Sequence, residues 1–251
     1  MIPAPFSKNH LLAAFSATDF DFLRPYLQFV QLSADDVLAE AGFKIERAYF
    51  LHSGIVSFVV SLAEGEMIEV GVIGREGAVG ASAAFTDDIA VSGAIVRLPG
   101  AASVVEADHL RAAAERSAPL RTMLARNQRA LFAQAQQLAA CNASHAVEFR
   151  LSRSLLQMRD LSGSDTLTIT QEALSQMLGV RRNSVSVVAH ALQQANLIRY
   201  SRGHIEIIDA EGLKRGACEC YAAVKAHRER LLSAPTEKSP GPRATESEAR
   251  P

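Results

Sequence analysis

Tryptophan is absent from the 251-residue chain, and aromatic residues make up only 6% of it. This scarcity disfavours a protein that holds bases or sugars by stacking them on aromatic rings. No apolar run is long enough to cross a bilayer, and the first residues lack the apolar core of a signal peptide. The three cysteines, Cys141, Cys218 and Cys220, are an odd number and make a poor disulfide framework. We therefore expect a cytoplasmic protein without a membrane partner.

The chain also lacks an excess of one charge sign, because its formal net charge is −1. The balance nevertheless changes along the sequence. Residues 1–149 contain 11 basic and 16 acidic side chains, whereas residues 150–232 contain 12 basic and 8 acidic ones. A polyanionic partner should therefore meet the second half. No zinc-protease, Ser-His-Asp or paired-carboxylate motif is present, so we predict no catalytic residue and no enzyme activity.

The first 107 residues have the pattern of short strands. Apolar and β-branched runs lie at 48–51, 55–62, 67–73, 94–98 and 103–106. Glycines separate the first runs, and the Pro99-Gly100 pair separates the last two in the manner of a turn. This spacing predicts an all-β sandwich or barrel.

From Asp108 to Cys141 the sequence contains no glycine, and its apolar residues have helical spacing. Leu124, Leu131 and Leu138 recur every seven residues, which is the spacing of a coiled-coil seam. We predict that this seam joins two chains into a homodimer. The alternative is a single helix that lies on its own domain.

Residues 168–208 contain the signature of two short helices joined by a glycine turn. Thr170 is a good N-cap for the first helix, and Gly179 permits the positive φ of the turn. The second helix has apolar residues on one face, and a strand pair with Arg202 at its tip follows it. This arrangement predicts a helix-turn-helix with a β-hairpin wing.

The outer face of this unit has the side chains that proteins use to read DNA. Arginine presents a fork to guanine, asparagine can pair with adenine, and serine suits phosphates. The predicted DNA-binding residues are Thr170, Gln171, Arg181, Arg182, Asn183, Ser184, Ser186, His190 and Arg202. A solvated polar face is the alternative explanation. The coincidence of cap, glycine turn, paired arginines and basic-tipped hairpin favours DNA.

The Cys218-Glu219-Cys220 segment, with His227 nearby in sequence, is a candidate for metal binding or oxidant sensing. Two cysteines two positions apart on one helix would point about 200° apart, which is poor geometry for a single ion. We therefore predict no metal ligand and no cofactor. A thiol-based redox sensor stays open as an alternative function.

These features together resemble the Crp/Fnr transcription regulators over about residues 10–230. The resemblance rests on the helix-turn-helix, on the Asp36–Val60 stretch and on the Ile73–Gly80 loop. It implies an α+β protein with an N-terminal jelly-roll β-barrel, a long dimerisation helix and a C-terminal winged helix-turn-helix. It also implies a homodimer that reads palindromic double-stranded DNA, with RNA polymerase as a candidate partner.

The resemblance divides the chain into four parts. These are a cyclic-nucleotide-binding-like roll at 10–117, a dimerisation helix at 118–142, a DNA-binding domain at 143–232 and a disordered tail at 233–251. A β-roll adaptor that uses its winged helix to bind protein is the rival interpretation.

Two departures from the family pattern concern specificity. The family's recognition helix reads Ser-Arg-Glu-Thr-Val-Ser-Arg, and here Arg182 matches the guanine-reading arginine while Asn183 and Val187 replace Glu and the second Arg. The pocket segment Gly80–Val96 lacks the Glu and Arg that hold ribose and phosphate, and offers Asp87 and Asp88 instead. We therefore expect an operator unlike that of the cyclic-AMP receptor, no control by cyclic AMP, and an effector that stays unknown.

Overall fold

The computed structural model describes residues 4, 6–86 and 89–232. The predicted tail at 233–251 and the pair Asp87 and Asp88 lie outside this range. The described chain has mixed α and β structure, with an N-terminal antiparallel sheet, a long helix and a C-terminal helix-turn-helix, which confirms the predicted α+β class. Within the described residues, no helix is both long and apolar enough to cross a membrane.

A six-stranded antiparallel sheet, which we call the β-roll, forms most of the N-terminal half. Its strands are β1 (Gln28–Leu32), β2 (Val37–Ala39), β3 (Arg47–Ser61), β4 (Met67–Ile73), β5 (Ala78–Val79) and β6 (Gly93–Glu106). The long strands β3 and β6 pair along most of their length. Strand β4 lies on the other side of β3, and β1 and β2 both pair with β6. The helices α1 (His10–Ala13), α2 (Ala17–Leu23) and α3 (Ala107–Arg116) add apolar side chains to the core of the roll.

Strands β3 and β6 are continuous, which corrects the prediction that Gly54 and the Pro99-Gly100 pair separate shorter strands. Both strands instead kink at these glycines, where the register between them is irregular. Gly54 has φ +84°, and a Cβ there would lie 2.6 Å from the Leu98 carbonyl oxygen. A Cβ on Gly100 would lie 2.2 Å from the Ser53 carbonyl oxygen. The glycines therefore permit a close backbone approach within the sheet, not a reversal of the chain.

The long helix α4 (Ala118–Ser144) follows directly, capped by the Ser117 hydroxyl, which accepts from the Leu120 amide at 3.2 Å. The predicted seam consisted of Leu124, Leu131 and Leu138, and the structure contradicts the assignment of Leu124 and Leu138 to a contact between two chains. Leu124 is 0% exposed in a cluster with the β-roll, and Leu138 is 3% exposed. Leu131 packs against a second cluster of the roll. Leu124 and Leu138 therefore bury their side chains within their own chain, whereas Leu131 is half-buried and its place in an interface stays a prediction.

The C-terminal domain consists of five helices and a three-stranded sheet. They are α5 (Val147–Ser162), β7 (Thr166–Thr168), α6 (Gln171–Leu178), α7 (Arg182–Gln194), β8 (Ile198–Ser201), β9 (His204–Ile207), α8 (Ala210–Arg215) and α9 (Cys220–Leu232). Their buried core is shared with the β-roll, because Ile55, Val72 and Leu98 belong to the same cluster as Leu151 and Leu155 of α5. The last helix, α9, packs back along α4.

Candidate nucleic-acid interface

The helix-turn-helix is built by local signals in the sequence. The Thr170 side chain caps α6 by accepting from the Ala173 amide at 3.1 Å. Gly179 ends the helix in the left-handed conformation, with φ +58°, and the following Val180 amide donates to the Ser175 carbonyl at 3.0 Å. The buried Arg150 guanidinium of α5 donates to the Leu178 carbonyl, which satisfies another group at the end of α6. The turn therefore fixes how α7 leaves α6.

The start of α7 presents an exposed polar surface. Arg181, Arg182, Asn183 and Ser184 are all exposed, and Arg181 makes no side-chain cap. Among the described residues, neither arginine has a carboxylate within ion-pair distance. Val185, Ala189 and Leu192 occupy the opposite, buried face. The guanidinium groups are therefore available to an anion or a base edge outside the protein.

Two of the predicted contacts also hold the helices together. The Ser186 hydroxyl lies 2.7 Å from Gln171 Oε1, to which it donates, and 3.2 Å from the Arg182 carbonyl. Both side chains are half-buried. The amide nitrogen of Gln171 has no part in this bond. Ser186 and Gln171 thus position α7 against α6, whereas His190, one turn further along α7, is exposed.

The predicted wing is present as the hairpin of β8 and β9, and β7 completes its sheet. Arg202 and Gly203 form its two-residue turn, with φ of +46° and +82°. Arg199 and Glu206 face each other across the hairpin in an ion pair of 2.5 Å. The Arg202 side chain is exposed at the tip.

The hairpin between β3 and β4 lies beside the turn of the helix-turn-helix. A groove of about 480 Å³ is lined on one side by Glu64 and Glu66 and on the other by Arg181 and Arg182. Gly179 is close enough to Ile68 that a Cβ would lie 3.3 Å from that side chain. The β-roll therefore places two carboxylates on the flank of the basic surface, and phosphates are repelled from that side.

A second cavity, of about 330 Å³, lies between the β-roll and α4. Its walls are mainly apolar, with Phe58, Leu131 and Phe132 among them, and Ser82, Ser92 and Gln128 supply polar groups. Among the described residues that line it, none is a lysine or an arginine. The cavity therefore suits a largely apolar ligand better than an anion.

Two family models match the sequence. Residues 29–117 match the cyclic nucleotide-binding domain, and residues 149–215 match the Crp-like helix-turn-helix domain. The comparison with curated protein sequences returns no match.

Several solved structures share the fold at low sequence identity. A transcriptional regulator of the Crp/Fnr family from Eubacterium rectale has a TM-score of 0.66 at 16% identity, over 83% of this chain and 98% of that one. FixK2 from Bradyrhizobium japonicum also has a TM-score of 0.66, at 14% identity, over 76% of this chain and 98% of its own. A Crp/Fnr-family regulator from Thermus thermophilus has a TM-score of 0.62 at 23% identity, over 76% and 98% of the two chains.

A cyclic-nucleotide-binding-type roll joined by a long helix to a Crp-like helix-turn-helix defines a class of transcription regulators, which are not enzymes. This chain belongs to the Crp/Fnr family.

Proposed function

We propose that the protein is a homodimeric, sequence-specific DNA-binding regulator that works in the cytoplasm and is not controlled by cyclic AMP. The observation that supports it best is the exposed basic start of α7, with Arg181 and Arg182 unpaired among the described residues and Asn183 beside them. A recognition helix enters the major groove by this end. Arg182 would read guanine, and the 70% exposed Val187 would touch a thymine methyl where the family's usual recognition-helix pattern has a second arginine.

Selection of bound sequences from random DNA tests the proposal. We expect a palindrome whose half-sites are about 10 base pairs apart, since the two recognition helices of a dimer lie about 34 Å apart. Affinity for the selected site should fall steeply as salt rises, because bound phosphates release counterions. If no sequence is enriched and affinity does not depend on salt, the winged helix serves another partner, and the adaptor interpretation is favoured.

Arg202→Ala should weaken binding to all sequences by a similar factor. The exposed wing tip is placed to meet the DNA backbone, and phosphate contacts carry no sequence information. The slope of log affinity against log salt should become shallower by about 1. Titration of the selected site and of a scrambled site at several salt concentrations measures both effects. A loss confined to one base pair would assign Arg202 to base reading in the minor groove instead.

Cyclic AMP should not bind measurably and should leave DNA affinity unchanged. The cavity beside α4 has no cationic side chain among its described lining residues, so a buried phosphate would lose its hydration without gaining a partner. A ligand without differential affinity for the DNA-binding state cannot shift its population. Calorimetric titration of the dimer with cyclic AMP is the measurement. A saturable heat together with tighter operator binding would restore the nucleotide as effector.

A further inference from the structure

Four potential metal ligands meet where the long helix ends and the last helix begins. Cys141 lies in the final turn of α4, and His145 is the residue that ends this helix. Cys218 lies in the turn before α9, and Cys220 is the first residue of α9. One ligand atom from each of the four lies within 4.8 Å of all the others. The three cysteines are buried and unbridged, and the His145 side chain is 23% exposed.

We infer that Cys141, His145, Cys218 and Cys220 form a mononuclear zinc site that ties α4 to α9. The sulfurs of Cys141 and Cys218 are 3.5 Å apart, and Cys220 Sγ lies 3.7 Å from His145 Nδ1. In a tetrahedron with usual Zn–S and Zn–N bond lengths, two sulfurs lie about 3.8 Å apart, and a sulfur and a nitrogen about 3.5 Å apart. Both observed distances are close to these values, and every other pair of the four donors lies within 4.8 Å.

The groups around the four ligands are arranged to support such an ion. The other ring nitrogen of His145, Nε2, lies 3.2 Å from a carboxylate oxygen of Glu219. A metal-bound histidine commonly donates its second N–H to a carboxylate, which fixes the tautomer and aims the free nitrogen at the metal. The Gln137 amide donates to Cys220 Sγ at 3.1 Å, a bond that suits a thiolate. These contacts leave Nδ1 of His145 facing the sulfurs.

Buried positive charge beside the cluster argues for thiolates in the occupied site. Arg153 is 1% exposed, and its guanidinium bonds only neutral groups, Gln157 and Ser154. No carboxylate in the described part of the chain lies within ion-pair distance of it. Burial raises the pKa of nearby Glu69 to about 7, so that group is only partly charged near neutral pH. A Zn²⁺ ion with three thiolates and a neutral imidazole has a net charge of −1, which complements Arg153.

The same burial opposes a simple redox sensor. Cys141, Cys218 and Cys220 are all buried, so an oxidant in solution has little access to their sulfurs. Oxidant-sensing cysteines instead have a lowered pKa and are accessible. Zinc binding needs no oxidant or reductant. The three thiols release three protons to solvent, and three S–Zn bonds and one N–Zn bond form.

Metal analysis of the purified full chain is the first test, and it does not depend on DNA binding. We expect about one zinc per chain, and Co²⁺ in its place should give the visible absorption of a tetrahedral, thiolate-rich site. Zinc binding to the reduced, metal-free chain should release about three protons, because the three thiols bind as thiolates. Three results would overturn the proposal. They are a Cys141–Cys218 disulfide in the freshly purified protein, a fully reduced chain that takes up no metal, and the absorption of an iron–sulfur cluster.

Variants then assign the ligands. Cys218→Ser and His145→Ala should each lose the cobalt absorption and bind zinc at least about tenfold more weakly. Glu219→Gln should keep the stoichiometry and weaken binding by about 10–100-fold, because it alters only the histidine's partner.

His227→Ala is the matched control on α9, since His227 is not among the clustered ligands. Because His145 is partly exposed, its variant should fold even if a cysteine variant does not, and circular dichroism checks this. Unchanged metal binding in a folded His145→Ala chain, or an equal loss in His227→Ala, would contradict the assigned ligand set.

Discussion

Arg182→Ala should lower affinity for the selected operator by about 1–3 kcal/mol and relax the preference at one base pair in each half-site. Arg182 is the first residue of α7, it is exposed, and it has no ion-pair partner among the described residues. Its fork can therefore pair with both acceptors of a guanine, which a truncated side chain cannot do. Binding to the operator and to a set of single-base variants measures the loss at each position.

Two further variants separate base reading from charge. Arg182→Lys keeps the positive charge but not the planar fork, so we expect non-specific affinity to be retained and the base preference to be lost. Arg24→Ala removes an exposed arginine from the turn between α2 and β1 and should leave both quantities unchanged. If Arg182→Ala weakens all sequences equally and makes the salt slope shallower, Arg182 contacts phosphate and not guanine.

The helix-turn-helix was predictable because its signals are local. The cap at Thr170, the left-handed Gly179 and the two-residue turn at Arg202 each specify backbone geometry within a few residues. The fold class follows from the same kind of information, since a strand pattern gives way to a helical one near Asp108. These local signals did not predict that Ser186 also holds α7 against α6. Its hydrogen bond to Gln171 depends on how the two helices cross.

The leucine repeat shows what periodicity does not specify. A spacing of seven identifies one face of α4 correctly, but it does not say which apolar surface covers that face. The β-roll of the same chain supplies the cover for Leu124 and a neighbour for Leu131. Similarly, the glycines in β3 and β6 do not distinguish a turn from a close approach between strands, because both look the same in the sequence.

The cysteine cluster was missed for two physical reasons. Cys218 and Cys220 would point apart only if both lay on one helix, whereas Cys218 lies in the turn before α9, which lets both sulfurs converge. The other two ligands, Cys141 and His145, are more than 70 residues away in sequence, and only the packing of α9 on α4 brings them together. His227, which did look like a candidate in the sequence, is not among the clustered ligands.

The surface of α4 opposite its buried leucines has its own heptad pattern, and Phe132 within it also lines the cavity beside the β-roll. Exposed or half-buried residues recur there at alternating steps of three and four, namely Thr122, Ala125, Arg129, Phe132, Gln136, Ala139 and Ala143. Most of them are small or polar, and Phe132 is 65% exposed at the centre of the stripe. Small residues let two helices approach closely, and an exposed central aromatic is the usual anchor of an interface. We therefore propose that this stripe, with Phe132 at its centre, joins the two chains.

Phe132→Glu should raise the dimer dissociation constant by on the order of 100-fold or more. Burial of a phenylalanine contributes about 1.5–3 kcal/mol, the symmetry of a dimer brings in two copies, and every 1.4 kcal/mol corresponds to about tenfold in affinity. Two apposed carboxylates would add repulsion. Phe43→Glu is the matched control, because Phe43 is also 65% exposed but lies on the loop before β3. Leu124→Ala should instead lower the free energy of unfolding by about 2–5 kcal/mol, since it opens a cavity inside one chain. Sedimentation over a range of concentrations measures the association, and a Phe132→Glu chain that stays as dimeric as the Phe43→Glu control would show that the two chains meet through another surface.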